Sequence, residues 1–307
     1  MRSERCEGPQ QPTHKDSVRM AEQLVVGVVG GSGLYAIDGL EDVREVALST
    51  PFGEPSDAFV TGRLGETPMV FLPRHGRGHR IQPSDINFRA NIWGLKQLGV
   101  TRILSVSAVG SMREHIAPGD FVVIDQFIDR TRHRIDTFFG DGLVAHVMFA
   151  DPVCPFVRQA LLAAARKIEV KAHDGGTYLN MEGPQFSTRA ESRLYRSWDV
   201  DVIGMTNLQE AKLAREAELC YATLAMATDY DCWHESHESV SVEAVVAVMH
   251  KNVDNARRLI KACVGLLGAE STCGCRSALA HAIMTAHDQI MPAARTRLRL
   301  LIEKYVP

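Results

Sequence analysis

The feature that most restricts how this chain folds is the uncharged run 221–228, Tyr-Ala-Thr-Leu-Ala-Met-Ala-Thr, which leads directly into Asp229-Tyr-Asp231. Its β-branched and small apolar residues read as a strand buried on both faces, and such strands occupy parallel sheets covered by helices. In open α/β sheets, ligands gather just beyond the C-terminal ends of the strands, where these two carboxylates fall. Residues two apart in extended backbone share a face about 6.6 Å apart, so Asp229 and Asp231 are placed to address one ligand. Two acceptors beside an apolar strand suit a planar heterocycle with adjacent N–H groups. An Asx-rich turn, with Asp229 capping the next element, explains the same residues, and locally both readings stand.

The rest of the chain alternates in kind. Residues 24–29 read as a buried strand feeding the turn Gly30-Gly-Ser-Gly33, and strands are expected at 43–48, 58–64 and 69–72 before the basic loop Pro73-Arg-His-Gly-Arg-Gly-His79. Helical spacing over 84–98 precedes strands at 102–109 and 121–125. A helix at 152–167, a strand at 176–181, a loop at 182–189, a helix at 190–198, a strand at 201–205 and a helix at 208–219 lead to the 221–228 strand. Residues 242–263 keep helical spacing with Ser241 as N-cap, and the tail after Gly268 holds a helical stretch broken at Pro292. The order implies one α/β domain over 21–307, a mixed central β-sheet flanked by helices, with a helical C-terminal segment at 269–307. Residues 1–20 are polar and aperiodic and read as a disordered extension.

Charge and composition narrow the function. A net charge of -3 provides no global basic field, so neither nucleic acid nor an anionic membrane is an expected partner. The apolar run 24–34 is broken by glycines and too short to span a bilayer, and no signal-cleavage pattern surrounds it, so a cytoplasmic protein is expected. Seven cysteines scattered over 307 residues do not resemble a disulfide framework. Cys273-Gly-Cys275 is able to pair, to bind a metal with distant ligands, or to stay reduced, and a cytoplasmic location favours reduced thiols.

Several short motifs carry chemistry. The glycines of Gly30-Gly-Ser-Gly33 let backbone N–H groups point at an anion, although no Walker lysine follows. Residues 31–36 also fit a loose dinucleotide fingerprint, but lack its acidic partner. Arg74-His75 adds a permanent cation and a titratable donor after another strand, and Ser107 and Thr206 add hydroxyls near two more strand ends. Tight turns and a solvated loop are the plain alternatives. His234-Glu-Ser-His237 is one residue short of the zinc pattern His-Glu-x-x-His, and no metal is expected.

With these residues in view, the chain resembles the 5′-methylthioadenosine phosphorylases of the trimeric purine nucleoside phosphorylase family. The likeness runs from about Val25 to about Gly268, through Gly30-Gly-Ser-Gly, Thr50-Pro-Phe-Gly-Glu-Pro-Ser-Asp57, Arg74-His-Gly, Asn91-Ile-Trp, Asp125-Gln-Phe-Ile-Asp-Arg-Thr131, Glu182-Gly-Pro-Gln-Phe-Ser and Ala227-Thr-Asp-Tyr-Asp-Cys-Trp233. It implies phosphorolysis of a purine thionucleoside to adenine and 5-methylthioribose 1-phosphate, with inorganic phosphate as co-substrate, no other cofactor, and a homotrimer or hexamer in which a neighbouring chain closes the site. Carried over by position, Ser32, Arg74, His75, Ser107 and Thr206 hold phosphate, and Ala108 lies beside the ribose. Phe186 stacks near the base and Met205 packs under the sugar. Asp229 and Asp231 meet adenine N7 and the 6-amino group; Val242, Val245 and a neighbour's His146 surround the methylthio group.

The chemistry of the residues agrees with that likeness. Cleavage of a nucleoside by phosphate passes through an oxocarbenium-like sugar, so a dianion must be fixed on one side and charge accepted on the leaving base at the other. Two carboxylates accept from an amino group and repel a 6-oxo group, a mismatch that can cost roughly 10⁴-fold. The 6-oxopurine members of the family carry Asn in place of Asp229 and Glu in place of Ser187, so inosine is expected to be a poor substrate. The valines discriminate more softly, about 10- to 200-fold, so adenosine is expected to react slowly. The rival readings are a 6-oxopurine nucleoside phosphorylase and a nucleoside-binding protein without catalysis.

Overall fold

A computed structural model of the chain describes residues 23–234, 242–269 and 272–306, and only the backbone of Ser32, 242–247 and 249–251. The expected extension at 1–20, the N-cap at Ser241 and His237 lie outside the described residues. The chain opens with β1 (Val26–Gly30), β2 (Leu40–Val46), β3 (Phe59–Leu64), β4 (Thr67–Pro73) and helix α1 (Phe88–Gln97). It continues with β5 (Arg102–Ser111), β6 (Phe121–Val123), β7 (Gln126–Arg130), α2 (Pro155–Lys167), β8 (Ala172–Asp174) and β9 (Thr177–Met181). Then come α3 (Arg189–Ser197), β10 (Val202–Gly204), α4 (Asn207–Glu216), β11 (Cys220–Asp229), α5 (Val242–Val264) and α6 (Pro292–Ile302).

These strands form one mixed sheet, and alternation along them sends side chains to two apolar layers. Val26 and Val28, Leu104 and Val106, and Ala222, Leu224 and Met226 face α2 and α5. Val29, Ile103 and Tyr221 face the opposite layer, built with α1, α4 and α6. A strand covered on both faces cannot carry unpaired charge along its length, and β11 is buried and uncharged from Cys220 to Thr228.

β5 organises the site. Along one edge it carries β11 in parallel, from Arg102 opposite Cys220 to Gly110 opposite Asp229. Its other edge is shared: β1 pairs in parallel as far as Ser105, whereas β10 pairs antiparallel at Gly110 and Ser111. Between those two partners residues 106–109 open into a crevice, where neighbouring strands leave the same edge and a ligand can enter.

Two edge elements escaped the sequence reading. β7 and β8 are short and largely polar, without an alternating apolar pattern, and take their conformation from pairing with β9 and β6. One expectation reverses: Pro292 begins α6 instead of breaking a helix, because proline at the first helical position gives up an N–H that would be unbonded there anyway.

Candidate active site

The crevice beside β5 widens into a cavity of about 640 Å³. Its lining brings together Arg74, His75, Ser107, Ala108, Phe186, Met205, Thr206, Asp229 and Asp231, together with the backbone of Gly30, Gly31 and Gly33. The side chains of Ser32, Val242 and Val245 lie outside the described part of the structure. His146 lies elsewhere, exposed on a separate cavity of about 490 Å³ that also includes Lys212 and Glu216.

The two carboxylates reach the cavity by a route that extended backbone does not provide. β11 ends at Asp229 after a register shift, and Asp231 sits in a turn with φ 51°. The Asp231 N–H donates to Asp229 Oδ1 at 2.8 Å, an Asx turn, while the Thr228 hydroxyl donates to Oδ2 at 2.8 Å. The Asx turn expected of these residues is therefore present, both residues line the one cavity, and the expected strand geometry at Asp231 is corrected. Burial raises the pKa of both carboxyl groups by penalising their charged forms; at Asp229 the Thr228 and Asp231 hydrogen bonds oppose the rise.

The opposite side of the cavity is rich in donors, but its charge is nearly balanced. Arg74 is buried and forms a bidentate ion pair with Glu210, whose Oε2 lies 3.1 Å from Nη2. Nη2 also donates to Ser105 Oγ at 2.7 Å and Nη1 to the Val106 carbonyl at 3.0 Å. The permanent cation read from the sequence is thus matched by a carboxylate, which leaves one Nη1–H rather than net charge for an anion. His75 is held neutral: burial and the adjacent Arg74 lower its pKa to about 4. Its Nδ1 donates to the Ile81 carbonyl at 2.8 Å, which leaves Nε2 as an acceptor. Thr206 stands at the N-cap of α4 without capping it; its hydroxyl donates to Asn207 Oδ1 at 3.3 Å and keeps its lone pairs toward the cavity, and the Leu208 N–H in the first helical turn donates to Asn180 Oδ1 at 3.3 Å.

Sequence reasoning missed the framework beneath these groups. Asn207, buried in the first turn of α4, donates to Ser105, Tyr221 and Thr223 at 2.9–3.2 Å and accepts from Tyr178 at 3.2 Å. Glu210, one turn on, accepts from Arg74, Ser105 and Tyr221. The available signal was a polar pair three residues apart at a helix start, opposite hydroxyls inside an apolar strand. Arg134 is a second case: it pairs with Glu182 at 3.1 Å and also donates to Gln209 Oε1 and the carbonyl oxygens of Met205 and Glu182, so it fixes the loop leading to Phe186. Phe186 remains half exposed at the cavity mouth. From α5, Val253 and Arg257 complete the wall, and Arg257 donates to the Gly33 carbonyl at 2.9 Å.

Residues 25–265 match the phosphorylase superfamily model. A relative from Geobacter sulfurreducens named S-methyl-5′-thioadenosine phosphorylase is 59% identical, over 92% of this chain and 100% of that protein. Another of the same name, from Koribacter versatilis, is 58% identical over 92% of this chain and 97% of its own length. Among solved structures, a methylthioadenosine phosphorylase from an antarctic soil metagenomic library superposes with a TM-score of 0.87 at 48% identity, covering 91% of this chain and 99% of that one.

Proposed function

The chain belongs to the phosphorylase superfamily and groups there with S-methyl-5′-thioadenosine phosphorylases, and from that premise we propose that it cleaves S-methyl-5′-thioadenosine with inorganic phosphate to adenine and 5-methylthioribose 1-phosphate. The observation that carries this reading is the polarity of a single cavity. Two carboxyl groups of raised pKa stand at the half-buried Asp229 and the buried Asp231, and Arg74, His75, Ser107 and Thr206 supply a cradle of donors and one acceptor.

In this reading phosphate rests against Ser107, Thr206, the Ser32 turn and the remaining Arg74 N–H, and His75 Nε2 accepts from its P–OH. A phosphate oxygen bonds to C1′ as the C1′–N9 bond breaks and its electrons pass to the purine. Asp229, whose burial favours the protonated form, gives its proton to N7, and Asp231 accepts from the 6-amino group. Ala108 and Met205 hold the ribose, and Phe186 covers the base. Val242, Val245 and a neighbouring chain's His146 form the methylthio end, in a homotrimer or a hexamer. The exposure of His146, away from its own chain's cavity, supports that role for a partner copy. No described helix is long and apolar enough to cross a membrane, which is compatible with the proposed cytoplasmic site of action.

Incubation with S-methyl-5′-thioadenosine and with inosine, each with and without phosphate, tests the proposal by the base released. Adenine formed only from the thionucleoside and only with phosphate is the expected result. Adenine release without phosphate would make the protein a hydrolase, and faster hypoxanthine release from inosine would overturn the base-recognition argument. Light scattering tests assembly, with three or six chain masses expected.

A further inference from the structure

Four cysteines that are remote in sequence meet at the end of β11 opposite the cavity. Cys220 is the first residue of that strand, Cys154 is the N-cap of α2, and Cys273 and Cys275 belong to the short turn after α5. Their Sγ atoms all lie within 4.8 Å of one another, and those of Cys220 and Cys273 are 3.4 Å apart. Cys154, Cys220 and Cys275 are buried and Cys273 is half-buried. We propose that Cys154, Cys220, Cys273 and Cys275 form a tetrathiolate site for one zinc ion.

The geometry suits that ion. Zinc–sulfur bonds of about 2.3 Å in a tetrahedron place the sulfurs about 3.8 Å apart, so changes of at most about 1 Å in any sulfur–sulfur separation close the shell. Four thiolates select a soft or borderline ion, and a shell completed by the protein leaves no position for substrate, which marks a structural centre. On binding, each Sγ–H bond gives its proton to solvent as an S–Zn bond forms, and no electron is transferred. The filled site carries two net negative charges. Arg102, buried and permanently cationic, stands opposite Cys220 in the β5–β11 register and donates to the Ala269 carbonyl at 3.1 Å, beside the segment that brings in Cys273. Zinc here ties together α2, β11 and the C-terminal segment. It acts about 30 Å along β11 from Asp229 and takes no part in the reaction.

The full chain, expressed in zinc-supplemented medium and purified under a reducing agent without chelator, is analysed for metals by plasma mass spectrometry. About one zinc per chain is expected, with a sulfur-to-cobalt charge-transfer band on cobalt replacement and faster proteolysis within 272–306 after chelation. Cys273→Ser combined with Cys275→Ser should lower bound zinc at least about tenfold, whereas Cys263→Ala should retain it. The unmodified chain decides the matter even if the variants fail to fold. Less than about one-tenth of a zinc per chain after reconstitution overturns the site. So does an intact mass short by two hydrogens for each sulfur–sulfur bond, which would assign the cluster to disulfides.

Discussion

Asp229 combines two physical roles that compete for the same carboxylate. Accepting from the Asp231 N–H and the Thr228 hydroxyl favours the charged form, whereas burial at the cavity wall favours the neutral one, and burial prevails. The protonated carboxyl is the form able to protonate a leaving base, so turnover should fall as pH rises through this raised pKa. Asn keeps the size and an acceptor but cannot give up a proton. Asp229→Asn should therefore reduce kcat on S-methyl-5′-thioadenosine by about 10²-fold or more and remove that alkaline decline. Steady-state rates across pH for both proteins make the check; an undiminished rate would take Asp229 out of the proton transfer. Arg74 shows the same context dependence, since its pairing with Glu210 turns an apparent phosphate cation into a scaffold that offers one remaining N–H.

At the scale of elements, the site exists because β1 and β10 share one edge of β5 without meeting. The end of β10 is tightly packed: a Cβ on Gly204 would stand 2.0 Å from Tyr178 Oη and 3.2 Å from Val109 Cγ1. Tyr178 is wholly buried and its hydroxyl donates to Asn207, at the start of α4. Gly204→Ala must therefore displace either the phenol or the Met205–Thr206 backbone. A loss of about 1–3 kcal/mol is expected in denaturant unfolding, with a raised KM for phosphate because Thr206 moves. Full stability with an unchanged KM would show that the β10 end yields without disturbing the site.

For the molecule as a whole, Glu216 links folding to pH. It is buried at the end of α4, where it accepts from the Phe138 N–H and the Thr137 hydroxyl, both at 2.7 Å; burial nevertheless raises its pKa from 4.5 to about 7. Because the folded state holds this proton more tightly than the unfolded chain, the associated stability is complete below about pH 4.5 and is lost as pH rises through about 7. Gln keeps an acceptor for Phe138 and presents its amide to Thr137, without titrating. Glu216→Gln should remove about 2–3 kcal/mol from the stability difference between pH 5 and pH 8, read from denaturation midpoints. An unaltered pH dependence would mean that Glu216 stays ionised in the fold.

Much of this protein was legible in the chain itself. The apolar run 221–228 dictated a covered strand, because only burial on both faces accommodates such residues, and Asp229 marked the end of that strand. Arg74, His75, Ser107 and Thr206 declared themselves as polar residues at or near strand ends, and their cavity is where strand ends meet. Tertiary structure alone decided what each residue experiences. The Arg74–Glu210 pair, the Asn207 network and the Arg134 clamp join residues tens to more than a hundred positions apart, and no local pattern records such pairings. The same holds for Cys154 and Cys220, brought against Cys273 and Cys275 by the packing of α2 and β11. Periodicity reports which face of an element is buried, whereas charge balance and proton affinity depend on what the rest of the fold places against that face.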